Sequence, residues 1–133
     1  MSEPNVSGEL TELQLELLDV LWSRTEATVA DVREALNARR DLASTTIATL
    51  LSRLERRGVI THRVVGRQYV YRPLVSMADV RQSMVSALTD RLFSGNVAEL
   101  LNHLITEAEI APGDLASVKK LIAERAASAE EGP

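Results

Sequence analysis

The sequence predicts a mainly α-helical fold that carries one small β-hairpin. Three observations predict it. Apolar residues recur at intervals of three and four through six separate segments, and a single Gly-Arg pair divides two short β-rich runs. Aromatic residues number only four in 133, so the core has to be built from Leu, Val, Ile and Ala. Charge adds an organising feature. The chain carries a net −4, yet residues 1–41 hold four Arg against nine acids (−5), residues 42–75 six Arg against one Glu (+5), and residues 76–133 five bases against nine acids (−4). The positive excess therefore sits in one short span, the footprint of a phosphate-binding face with acidic flanks that phosphate would repel.

Residues 1–9 read as an unstructured lead, with Pro4, Gly8 and no periodicity. Thr11 then offers a helix cap that Gln14 can close into a capping box, with Leu10 as the staple. Leu13, Leu17, Leu18 and Leu21 form the inward stripe, Trp22 extends it as a core residue, and the helix ends near Ser23 to Thr25. The capping pattern repeats at Thr28 and Asp31, and Val29, Val32, Ala35 and Leu36 predict a second helix running to about Arg39. A short loop over residues 40–43 leads into the third.

That third segment, LASTTIATLLSRLERRG over residues 42–58, has two faces and a stop at Gly58. Ile47, Leu50, Leu51 and Leu54 make a buried stripe, while Ser44, Thr45, Ala48, Thr49 and Ser52 leave the other side small and hydrogen-bonding, ahead of Arg53, Arg56 and Arg57. Such a face can enter a groove closely, offer donors and acceptors to base edges, present methyls to thymine and ground itself on phosphates. Taken alone it is equally well a solvated surface. The neighbouring segment weakens that blander reading: VITHRVV and QYVYR, separated by Gly66-Arg67, predict a tight hairpin with Arg67 at its tip and Tyr69 and Arg63 close behind. Two helices joined by a short turn, with a hairpin directly after, make a winged helix-turn-helix over residues 10–75.

Residues 76–126 read as a helical arm. Ser76 and Asp79 cap a helix bearing Val80, Met84, Leu88 and Leu92 and closing at Gly95. Asn96 to Glu99 opens another with Val97, Leu100, Leu101, Leu104 and Ile105, and Pro112 starts a last one with Leu115, Val118, Leu121 and Ile122. These stripes exceed what a small domain with its own core can cover, which predicts pairing with a second copy of the chain: a dimerisation arm. Residues 127–133 read as a frayed acidic tail.

Several classes are excluded. With no cysteine there is no disulfide, thiolate metal site or cysteine nucleophile. No apolar run approaches the ~18 residues of a membrane span, and the polar, acidic start is unlike a signal peptide, so the expectation is a cytoplasmic protein without membrane insertion. The two histidines, His62 and His103, belong to no hydrolase or metalloprotease motif, and no phosphate loop occurs, so neither enzyme activity nor cofactor is expected. His62 is read as packing on the hairpin or facing solvent. Glu99, His103 and Glu107 share a helix face that could be drawn as a metal site, but such stripes are usually solvated, and no metal is assigned.

LTELQLELLDVLW, EATVADVREAL, TTIATLLSRLERRGVI and GRQYVYRPLVS, in that order, resemble the penicillinase-repressor (BlaI/MecI-type) winged-helix regulators from about residue 10 into the arm. The resemblance implies a dimeric repressor on a palindromic double-stranded DNA operator. Helix contacts would come from Ser44, Thr45, Thr46, Thr49 and Arg53, and wing contacts from Arg67 and Tyr69. Ala43 stands where many members carry a capping Ser, which leaves the cap to Asp41, Ser44 or backbone, and Thr45 stands where some carry Lys. The cysteine cluster of copper-responsive relatives is missing. In well-known members a membrane sensor-protease cuts an Asn-Phe bond in the arm; the matching position here is Asn102-His103, without the Phe. The function expected is a sequence-specific repressor, released when the arm is lost. The alternative is a winged-helix regulator that binds another protein or responds to a ligand.

Overall fold

The computed structural model describes residues 10–107 and 110–130; the expected lead at 1–9 and the last residues, 131–133, lie outside the described residues. In chain order it contains α1 (Glu12–Arg24), α2 (Val29–Leu36), α3 (Ser44–Arg56), β1 (Ile60–Val65), β2 (Gln68–Pro73), α4 (Met77–Phe93), α5 (Val97–Glu107) and α6 (Pro112–Glu130).

The first two helices start as their sequences dictate. The hydroxyls of Thr11 and Thr28 accept from the backbone N–H of Gln14 and Asp31 at 3.1 Å, and those side chains accept in return from the cap N–H at 3.0 Å. Each box satisfies two donors that the first turn of a helix leaves unpaired. Leu17, Leu18 and Leu21 of α1, Val32 of α2, and Ile47, Leu51 and Leu54 of α3 are then fully enclosed, with Val59 and Ile60 closing one side. Ala35 departs from expectation and is exposed. Ala35 stands at the edge of the stripe set by the buried Val32 and Leu36, and α2 ends at Leu36, short of the expected Arg39, with residues 37–39 forming a turn. Arg40 donates from Nε to Glu16 at 2.6 Å, which ties the segment leading into α3 back to α1.

No side chain caps α3. Ala43 occupies the cap position, and neither Asp41 nor Ser44 supplies the missing acceptor. At the other end Gly58 turns the chain at φ +82°, a conformation that favours glycine, and sends it into the hairpin. The strands pair antiparallel from Ile60 opposite Pro73 to Val65 opposite Gln68, which leaves Gly66-Arg67 as a two-residue loop. Gly66 has φ +62° at the first loop position, as a type II′ turn requires. On its other edge β2 is stitched to the α1–α2 connection: the Ala27 N–H donates to the Tyr71 carbonyl at 2.9 Å, and the Tyr71 N–H donates back at 2.8 Å. Nothing in the Glu26-Ala27 dipeptide announces a strand.

The arm begins inside the core. Trp22 donates from Nε1 to the Val75 carbonyl at 2.9 Å, and Val80 is 2% exposed. Met84 packs half-buried against the same cluster. Val80, expected on the pairing surface, is thus buried by its own chain. Spacing shows that a helix has an apolar stripe but does not say whose surface covers it. Beyond Met84 the stripes open to solvent: Leu88, Leu92, Leu101, Leu104, Leu115 and Ile122 are exposed, while Leu100 and Val118 are half-buried. The last helix continues to Glu130, so residues 127–130 are helical rather than frayed. Among the described residues no helix is long and apolar enough to cross a membrane.

Candidate nucleic-acid interface

With Ile47, Leu51 and Leu54 fixing the inward direction of α3, a turn of about 100° per residue sets the facing of every other side chain. Thr45, Thr49 and Arg56 stand opposite the core, Ser44, Ala48 and Ser52 lean toward the hairpin, and Thr46 and Arg53 lean the other way. All of these are exposed except Ala48, which is half-buried. Thr49 donates its hydroxyl to the Thr45 carbonyl at 2.9 Å, so its outward-facing capacity is an acceptor and a methyl group.

The hairpin faces this helix across an open cleft of about 660 Å³, lined on one side by Ser44, Ala48, Ser52 and Glu55 and on the other by Arg67, Gln68 and Tyr69. The wing tip and the α3 surface therefore border one space. Arg53 lies off this cleft, on the flank of α3 away from the wing. Arg63 is not with Arg67: strand alternation puts it on the opposite wing face, where it donates to Glu26 at 2.8 and 3.3 Å. The Arg63 hydrogen bond holds the Glu26 carboxyl below its ordinary value, and the same bond raises the Arg63 guanidinium. By contrast, Arg53, Arg56 and Arg67 have no carboxylate within ion-pair range among the described residues. These three are thereby open to phosphate on α3 and at the wing tip.

Two features go beyond the sequence expectation. Arg56, at the centre of the open face, is absent from the expected contact set although its spacing from Thr45 and Thr49 gives the same helical phase. Glu55 and His62 meet across the α3–β1 bend, with Nδ1 2.7 Å from both carboxylate oxygens. His62 stacks on Tyr69 with centroids 4.0 Å apart and planes 11° from parallel, so it does pack on the hairpin. Tyr71 closes the cluster from the buried side; burial pushes its phenol up, with help from the nearby Glu55 and Tyr69. Glu99, His103 and Glu107 form no cluster able to hold a metal ion, and none exists among the described residues.

A helix-turn-helix whose last helix keeps an open polar face, flanked by a basic hairpin, defines a winged-helix regulator of the DNA-binding kind. Residues 10–124 match the family described as penicillinase repressor, and the chain belongs to that family. It is 40% identical over 98 residues to the transcriptional regulator BlaI of Mycobacterium tuberculosis, a match covering 72% of this chain and 71% of the relative. It is 18% identical over 118 residues to the methicillin resistance regulatory protein MecI of Staphylococcus aureus, covering 89% of this chain and 96% of that one. The solution structure of the DNA binding domain of the repressor BlaI superposes with a TM-score of 0.50 at 26% identity, over 59% of this chain and 93% of that domain. These relatives are transcriptional regulators rather than enzymes, and the family is one of DNA-binding repressors.

Proposed function

We propose that this chain represses transcription as a homodimer on a palindromic operator, each copy laying α3 in a major groove and its wing on the backbone or minor groove. The observation that carries the reading is the exposed face of α3 that bears Thr45, Thr49 and Arg56, with Arg67 of the wing bordering a cleft on its Ser44 and Ser52 side and Arg53 on the far flank, none of the three arginines having an acidic partner among the described residues. Threonine methyls suit the thymine methyl, arginine suits the guanine edge, and Ser44, Thr46 and Tyr69 at the margins suit backbone contacts.

The arm supports the dimer. Leu92 is 70% exposed and Leu121 63%, and the helices that carry them leave a continuing apolar stripe in water. Covering about six such side chains at ~1.5–3 kcal/mol each gives a gross gain on the order of 10 kcal/mol per chain, of the size that association costs. Two copies related by a twofold axis read two half-sites, so losing the arm releases the operator. Asn102-His103 is the candidate cleavage position for a membrane sensor-protease. Both residues are exposed, but the Asn102 carbonyl accepts the Thr106 hydroxyl at 2.7 Å within α5, so that turn has to open first.

Protection mapping on the DNA upstream of the chain's own gene tests the proposal. The expected footprint is a symmetric pair of half-sites, bound with an affinity that falls steeply as salt rises, with a log–log slope near −0.9 per phosphate contact. A one-sided footprint, or binding indifferent to salt, would overturn it.

A further inference from the structure

Glu55 is the only acid in the basic span 42–75. Standing at the end of α3, it would oppose phosphate if left free. Instead both of its oxygens lie 2.7 Å from Nδ1 of His62 on β1. His62 and Tyr69 are diagonal neighbours on one face of the hairpin, close enough for the rings to stack, and Tyr69 sits two residues past Arg67. A contiguous series of contacts thus runs from the last turn of α3 to the tip of the wing.

The outer hairpin has little else to hold it. Val64 is 61% exposed, Val65 46% and Tyr69 50%, and a two-stranded hairpin is marginal without packing. The base is fixed by the Ala27–Tyr71 bridge, and on the far face Arg63 reaches Glu26, but that pair is solvent-exposed and ties the wing to the α1–α2 connection rather than to α3. The Glu55–His62 contact is a polar link between helix and wing on the cleft side.

We propose that His62 is the positioning residue of the wing: clamped by Glu55 and stacked on Tyr69, it sets the spacing between Arg67 and the open face of α3, so that both engage one duplex. The inference rests on the reading of this face as the DNA-binding one. It assigns Glu55 the role of anchor for the contact that brings Arg67 into register.

A double-mutant comparison on the full chain tests it, using a labelled random-sequence duplex of about 30 base pairs at low salt, since phosphate contacts need no operator. Arg67→Ala is expected to weaken binding on the order of fivefold in the wild-type chain and less than about twofold when His62→Ala or Glu55→Ala is already present. Arg56→Ala, on the helix itself, is expected to cost the same in every background. Comparing ratios cancels the change in overall charge when Glu55 is removed. An Arg67→Ala cost that is undiminished in both backgrounds overturns the positioning role. If His62→Ala does not fold, Glu55→Ala carries the same comparison from the other side of the contact. If neither Arg56→Ala nor Arg67→Ala weakens binding by the wild-type chain, the DNA-binding reading itself falls, and the inference with it.

Discussion

At the scale of single residues, position on α3 divides the work. Thr49 faces directly away from the core and carries no charge, so replacing it is expected to relax base preference, measured by competition among duplex variants. Arg67, on a turn, is expected to act on all sequences alike: Arg67→Ala weakens every duplex and lowers the salt slope by about one contact. Two carboxylates report on acid stability. Glu26 is lowered by its hydrogen bond from Arg63, and Asp31 by its bonds from the backbone and hydroxyl of Thr28. For a group lowered in the folded state, the stabilisation is present above its unfolded value, here 4.5 for Glu26 and 3.8 for Asp31, and is lost as pH falls through the folded value. Asp31→Asn is therefore expected to flatten the acid limb of a denaturation curve below about pH 4 while leaving its neutral plateau slightly lower. Legibility at this scale was uneven. Thr28–Asp31 and Thr11–Gln14 were readable because a capping box is a local, four-residue object; Glu55–His62 was not, because its geometry depends on how the chain bends at Gly58.

At the scale of elements, the uncapped start of α3 is a weakness with a remedy. Ala43→Ser is expected to stabilise the domain by about 1 kcal/mol, read as a rise in melting temperature, because it supplies the acceptor that α1 and α2 already have. Leu51→Ala, at a position with 0% exposure, is expected to cost about 2–5 kcal/mol through the cavity it leaves. The six helices and the hairpin followed from periodicity and turn residues. The end of α2 and the fate of Ala35 did not, since an eight-residue helix gives the stripe too few turns to declare its edge.

At the scale of the whole molecule, the buried core that encloses α1 to α3 extends past Val75 into α4. Val80 and Met84 close the core beside Trp22, so a chain ending at Gly95 is expected to keep the winged-helix fold, whereas one ending at Val75 would uncover Trp22. If the arm pairs two copies, Leu92→Glu with Leu121→Glu is expected to give a monomer in analytical ultracentrifugation and to lower operator affinity by orders of magnitude. A variant that remains dimeric would assign pairing to another surface.

The sequence by itself determined the order of elements, the capping boxes, the hairpin and the concentration of arginine in one span, because each depends on neighbours a few residues apart. Tertiary structure alone decided which of those arginines stay available. It paired Arg63 with Glu26 and left Arg56 at the centre of the open face. It also joined His62 to Glu55 and moved Val80 from the arm into the core, for the same physical reason: a contact between distant segments is set by where the chain turns, and periodicity carries no record of the partner.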